Sequence, residues 1–456
     1  MKRIFKNGHV IDPVHKRDDS LDILTQDGII RQVGKRLEES HAEVIDLSGL
    51  IVVPGFIDMH VHLREPGRED KETIETGTMA AIHGGITAVA SMPNTTPPAD
   101  DISVIQYVAS SARKYGWAKV FPIGSISKGR KGNELSEMGK LTEAGACGFS
   151  DDGQSVASSE LLRHAFEYAS MLNCPIIEHC EDPTLCADGV MHEGYYSTML
   201  GLRGIPSASE ELIVMRDITL SELTGSHLHI AHVSTKKSVE LIRAAKKRGV
   251  KVTAEVTPHH LLLSHETLVT YDTNLKVNPP LRTQEDINSL LEGVIDGTID
   301  VIASDHAPHT REEKEVEFDA APFGISGVET TVQLILSEFI NKKLLTIKQL
   351  ITGMSTKPSA ILRIPGGAIT EGNPCDLTVL DLKNHWTIDK EKFYSKGKNT
   401  PFHGKKGVGA PVMTIVNGEI LMKNKELVRS KSYEKIQTLK SSNGELKLTT
   451  LHNVYS

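Results

Sequence analysis

Cysteine is scarce in this chain: Cys147, Cys174, Cys180, Cys186 and Cys375 are the five in 456 residues, and no two stand at CxxC spacing. That excludes a disulfide scaffold and a thiolate zinc cluster, and it suits a reducing cytosol. A basic excess is lacking too. With a formal net charge of -8 there is no surplus cation to neutralise phosphates, so no nucleic-acid partner is expected. The short run "SKGRKGNE" is read as a solvated loop. No stretch approaches the roughly 20 apolar residues of a membrane span, and the opening "MKRIFKNGHVIDP" has no apolar signal core. The expectation is a soluble, cytoplasmic protein with no membrane partner, long enough for one large domain and a smaller one.

What the chain does have is a recurring alternation. Eight apolar, β-branched runs end in polar residues: "IVVPGFID", "GITAVASMPN", "AKVFPIGS", "GACGFSDD", "CPIIEHCE", "HLHIAHVS", "VKVTAEVTPHH" and "DVIASDHAPH". Segments with helical spacing of apolar residues lie between them, at 71–83, 101–115, 158–172, 207–224, 236–248 and 284–297. Strand and helix alternating eight times predicts an α/β fold of the (β/α)8 TIM-barrel type over 54–364. The flanks, 1–53 and 365–424, read instead as short alternating strands with turn signals at Asp27-Gly28 and Asn417-Gly418. They are expected to pair into one small composite β domain. Residues 425–456 are polar and weakly patterned and read as a loosely attached tail.

In such a barrel the reactive groups gather at the C-terminal ends of the strands. In "FIDMHVHLREPGRED", strand alternation points His60 and His62 to one face, with Asp58 two residues earlier on the same face. Alone, a His-x-His pair is a weak metal signal. Asn94, the pair Asp151 and Asp152, His179, His232, and Asp305 with His306 and His309 all fall at the same end of later strands, which turns the balance toward a metal clamp. Four histidines and two carboxylates exceed what one tetrahedral ion needs and suit two ions sharing a carboxylate and a hydroxide. His60, His62 and Asp305 would hold one ion, and His179 and His232 the other. A fourth-strand aspartate would join them, and alternation alone leaves Asp151 and Asp152 open. Nitrogen and oxygen donors favour zinc, though cobalt or manganese would be accepted.

Such a centre supplies hydroxide near neutral pH and suits attack on an amide carbonyl, with Asp305 carrying the proton to the leaving nitrogen. Hydrolysis would then need Asp305 deprotonated and ring closure would need it protonated, so higher pH favours hydrolysis. His259 and His260 take no ligand role and are expected in packing or in hydrogen bonds behind the ligands. Cys180 is expected to face away, and His83, His164 and His385 are ordinary.

Taken together, "GFIDMHVHLREPG", "SMPNTTPP", "GFSDDG", "IIEHCED", "AHVST", "VTPHHL", "KVNPPLR" and "SDHAPH" resemble the dihydroorotases of the amidohydrolase superfamily, in their longer bacterial form (type I). The resemblance spans about residues 1–424 and implies interconversion of N-carbamoyl-L-aspartate and (S)-dihydroorotate in pyrimidine synthesis. It implies His60, His62, Asp152, His179, His232 and Asp305 as ligands of two zinc ions, bridged by Asp152 and a hydroxide. Many relatives bridge with a carboxylated lysine, which "CGFSDDG" does not offer. It further implies that Arg64, Asn94 and His309 hold the substrate carboxylate, a good match for a guanidinium fork. Asn278 and the backbone at Phe323 and Gly324 would read ring polar groups. A homodimer, or a complex with aspartate carbamoyltransferase, is implied on the same ground. Dihydropyrimidinase and allantoinase are the nearest alternatives, but their substrates lack the ring carboxylate. A catalytically dead scaffold should have lost ligands, and none is lost.

Overall fold

The computed structural model describes residues 1–428. Its two flanking segments, before and after the barrel, build one nine-stranded sheet. Lys2–Asp12, Arg17–Gln26 and Ile29–Gly34 run antiparallel. The turn at Asp27-Gly28 places both residues at positive φ, +53° and +83°, as a tight two-residue hairpin demands. Ile51–Pro54 lies between Lys2–Asp12, to which it is parallel, and Leu377–Thr387, to which it is antiparallel. From there the sheet continues through Lys406–Val416 and Glu419–Lys423 to Glu426–Leu427, three residues past the 424 boundary expected for it. Phe5, Val10, Ile23, Val52, Leu377 and Ile415 form its apolar core. The rest of the expected tail, 429–456, lies outside the described residues.

Immediately after Pro54 the chain enters the barrel. Phe56–Val61, Ile86–Ser91 and Lys119–Pro122 are parallel neighbours. Ile176–Glu178, Leu228–Ile230, Val252–Val256 and Val301–Ile302 form a second parallel set. The fourth run contributes a single residue: Phe149 makes parallel bridges to Gly124 on one side and Ile176 on the other. A bridge between Val61 and His306 closes the circle. The barrel is of the TIM type.

All six expected helical segments are helices, and most open with a side chain that accepts a backbone N–H: Thr73, Asp101, Ser158, Thr235 and Thr283. Each such cap satisfies a donor that the first helical turn leaves unpaired. The helix between the third and fourth strands, Met138–Glu143, is too short to show a period in the sequence. Inside the barrel, Ile57, Met59, Ala88, Ala90, Ile123 and Ile177 fill the lower interior, so it is a packed core and not a channel.

Candidate metal centre and substrate cavity

Alternation along the first barrel strand places His60 and His62 on the barrel's inner side, and the strand's end is gripped from both flanks. His62 N–H donates to the His306 carbonyl at 2.9 Å, and Met92 N–H donates to the Val61 carbonyl at 2.9 Å. Every expected site residue except His60 lines one cavity of about 200 Å³ at this mouth. His60 is completely buried beneath it.

The ligand atoms fall into two groups, His60 with His62 and Asp305, and His60 with Asp152 and His232, each within 4.8 Å. Asp152 spans them. One of its oxygens, Oδ1, lies 3.4 Å from His60 Nε2, 3.5 Å from His232 Nε2 and 3.6 Å from His179 Nδ1, while Oδ2 lies 3.4 Å from His62 Nε2. Asp305 Oδ1 stands 3.1 Å from His62 Nε2 and 3.4 Å from His60 Nε2. His179 Nδ1 is 2.9 Å from His232 Nε2. Asp151 points the other way and accepts from the backbone N–H groups of Ile126 and Ser127 at 2.9 and 3.1 Å. His232 and Asp305 hold positive φ, +30° and +46°, a conformation that costs an L residue about 1–3 kcal/mol and collects at functional sites.

The donor set fits a metal. His60 Nε2 and Asp152 Oδ1 are buried and make no hydrogen bond among the described residues, a state that costs about 1–3 kcal/mol per group unless something else satisfies it. Both atoms face the shared centre. Burial pushes the Asp152 carboxyl up, but the His60 charge and the close approach of the His179, His232 and His60 rings outweigh it and hold the group well below the usual carboxylate range. Asp305 is lowered in the same way, with burial opposed by the charges of His60, His62 and His232 and by the His62 hydrogen bond. Conversely, burial works to lower His60, while Glu255, Asp152 and Asp305 together raise it well above an ordinary imidazole.

Glu255 is a buried partner of the candidate centre that the sequence reading misses. Fully buried on the seventh strand, it accepts from His60 Nδ1 at 2.5 Å and lies 3.2 Å from His229 Nε2. Because His60 Nδ1 carries the proton given to Glu255, its Nε2 is left to face the centre. The signal available was a lone carboxylate inside the apolar run "VKVTAEVTP", since a buried charge requires a partner. Asp58, expected near the histidine pair, accepts instead from the backbone of His60 at 3.3 Å and Ser304 at 3.1 Å, tying the first strand to the eighth. Burial foremost raises its carboxyl to about 6.

Toward the cavity mouth, Asn94 Oδ1 accepts from His62 Nδ1 at 2.7 Å, which leaves its amide nitrogen for another acceptor. Arg64, at φ +60°, donates from Nε to the Pro308 carbonyl at 3.3 Å. Burial lowers its guanidinium to about 10, still a cation at neutral pH. Asn278 Nδ2 donates to Glu181 at 2.8 Å. The His309 ring is engaged at both nitrogens, with Glu313 at 2.8 Å and the Phe323 carbonyl at 2.9 Å, and Gly324 N–H donates to the Lys276 carbonyl at 2.9 Å. In this arrangement those two residues offer the cavity fewer free polar groups than the sequence suggests. His260 bonds Thr257 and the Pro279 carbonyl, and Cys180 faces Asp217 away from the centre.

Comparison with known proteins agrees with this geometry. A family model described as dihydro-orotase-like matches residues 49–238. The dihydroorotase of Pelotomaculum thermopropionicum is 52% identical over 93% of this chain and 99% of its own length. That of Caldanaerobacter subterraneus is 50% identical over 96% of this chain and 100% of its own. Among solved structures, the L-hydantoinase (dihydropyrimidinase) from Arthrobacter aurescens superposes with a TM-score of 0.86 at 27% identity, covering 95% of this chain and 99% of that one. The barrel is thus shared with a hydantoinase at 27% identity, whereas identity to the dihydroorotases is near one half over almost whole chains, and on that ground this chain belongs to the dihydroorotase family.

Proposed function

We propose that the protein is a dihydroorotase, a cyclic amidohydrolase that interconverts (S)-dihydroorotate and N-carbamoyl-L-aspartate on the route to UMP. The observation that carries the choice over other cyclic amidases is the near-full-length identity to dihydroorotases, and the fourth-strand aspartate is the bridge that the resemblance to their longer bacterial form implies. His60, His62, Asp152, His179, His232 and Asp305 would hold two zinc ions with Asp152 between them. When bound, the metals would supply hydroxide near neutral pH and polarise the amide carbonyl.

The chain's own groups do the rest. Arg64 and the Asn94 amide face the cavity as donors for the ring carboxylate, and His309 joins them by exchanging its Glu313 bond. Asn278, with the backbone at Phe323 and Gly324, orients the ring. Asp305 takes the proton of the attacking hydroxide and delivers it to the ring nitrogen as the C–N bond breaks, so the products are a carboxylate and a terminal ureido NH2. A cytoplasmic location and assembly as a homodimer, or with aspartate carbamoyltransferase, belong to the same reading. Among the described residues, no helix is long and apolar enough to cross a membrane.

The test is turnover of L-dihydroorotate by purified protein, with dihydrouracil alongside, before and after metal stripping and zinc return, with bound metal counted. Zinc-restored turnover of dihydroorotate is expected. Activity on dihydrouracil alone would overturn the substrate assignment, and a metal-replete protein silent on both would leave a scaffold.

A second expectation concerns Glu255. Replacing it by glutamine keeps an acceptor for His60 Nδ1–H but removes the charge, which should weaken metal binding about 10–100-fold. Competition against a chelator measures this directly, and an unchanged affinity would remove Glu255 from the centre's support.

A further inference from the structure

One side of the substrate cavity comes from two walls. The first is the end of the eighth strand, Asp305 to His309, and the second is the later loop with Phe323 and Gly324. The walls meet directly where Ala307 N–H donates to the Ile325 carbonyl at 2.9 Å. A third segment, near residue 399 and far along the chain, lies on both.

Asn399 is almost fully buried at 3% exposure, and its side chain makes four hydrogen bonds. Its Oδ1 accepts from His309 N–H at 3.0 Å and from Ser326 Oγ at 2.8 Å. Its Nδ2 donates to the Ala307 carbonyl at 3.1 Å and to the Gly324 carbonyl at 3.0 Å. An amide has two donors and room for two bonds at its oxygen, so the side chain is saturated, with partners shared equally between the two walls. Its own carbonyl accepts from Ser326 N–H at 2.8 Å. The walls leave no slack between them: a Cβ on Gly324 would come 2.7 Å from the Ala307 carbonyl oxygen. A Cβ on Gly397 would meet Pro308 at 2.4 Å, so the 395–399 segment is seated against the first wall without space to spare. At the other end of that segment, Ser395 donates to Glu72, whose same oxygen stands 3.1 Å from His306 Nε2.

We infer that Asn399 is a positioning residue that sets the separation of the two cavity walls, and hence the placement of His309, Phe323 and Gly324 around the substrate. It is not among the residues that line the cavity, nor in either group of candidate ligands. The inference rests on the functional reading above, because KM for dihydroorotate is its readout. A planar amide suits this role, because a donor pair and an acceptor pair on opposite edges fix four atoms of two loops in one plane.

The experiment compares the wild-type enzyme with Asn399→Ala and Asn399→Asp, measuring KM and kcat for L-dihydroorotate, bound metal and thermal unfolding. Asn399→Ala should raise KM about tenfold while kcat and bound metal change much less, the pattern of lost ground-state positioning. Asn399→Asp keeps the acceptors for His309 and Ser326 but sets an oxygen against two carbonyls, so its KM should also rise at high pH. Protonation restores one donor, so relative to wild type its KM should recover as pH falls, whereas the alanine variant should show no such recovery. A support that merely stabilises the fold would lower the melting temperature, metal content and kcat together and leave the pH profile flat; that result, or an unchanged KM, overturns the inference. If the wild-type enzyme does not act on dihydroorotate, the functional reading itself fails, and this inference with it.

Discussion

Asp305→Asn should leave a protein that folds and is nearly inert. The change preserves size and one ligand oxygen but cannot accept a proton, so if Asp305 shuttles the proton as proposed, kcat should fall by about 10⁴-fold. The expected signature is specific. Bound metal should fall far less than activity, because His60 and His62 still flank the position and the amide oxygen still faces them at the 3.1–3.4 Å separations seen for the carboxylate. Both directions of the reaction should be lost equally, since the same group must give up in ring closure the proton it takes in hydrolysis. Steady-state assays in the two directions with metal analysis on the same preparation decide it. A variant retaining a tenth of the activity would move proton transfer to another group.

Asp152→Ala should fail differently, by losing the metal itself. Its carboxylate approaches four histidines, with Oδ1 toward His60, His179 and His232 and Oδ2 toward His62. Without it the imidazoles surround an unfilled space with no negative charge between the two groups. Bound metal should drop from about two to about one per chain or fewer, and activity should fall by about 10³-fold. Excess zinc should restore little. Asp151→Ala is the internal control: that carboxylate serves the backbone of Ile126 and Ser127, so its loss should lower thermal stability and leave metal stoichiometry intact. The opposite pairing of results would reassign the bridge to Asp151.

The barrel, and the gathering of the proposed ligand residues at one mouth, were legible in the sequence because both rest on short-range rules. Alternation within a strand puts His60 beside His62, and the barrel's polarity gathers strand ends at one mouth. Even the weakest strand was visible as "GACGFSDD", although only Phe149 makes barrel bridges there. What escaped was what depends on distant partners. Glu255 is identifiable as a partner of His60 only once residues 195 apart are in contact, and Asn399 only once a loop 90 residues beyond His309 is laid on it. The helices Pro183–Cys186 and Tyr195–Leu200 and the two-stranded ribbon of Met191–His192 with Gly204–Ile205 also went unseen, because elements of two to six residues show no period. His309 and Gly324 line the cavity, but sequence could not tell that their polar groups already have protein partners.

The position of Ile51–Pro54 bears on how the protein is made. That strand leads straight into the one carrying His60 and His62, yet its antiparallel neighbour is Leu377–Thr387, and Phe56 N–H is bonded by Thr378 Oγ1 across 322 residues of sequence. A nascent chain therefore presents this strand with one bare edge throughout the synthesis of the whole barrel, an invitation to pair with other chains. Completion of the C-terminal strands ends that exposure, so a chain truncated before residue 377 would hold every proposed metal ligand and still lack the strand that covers its foundation.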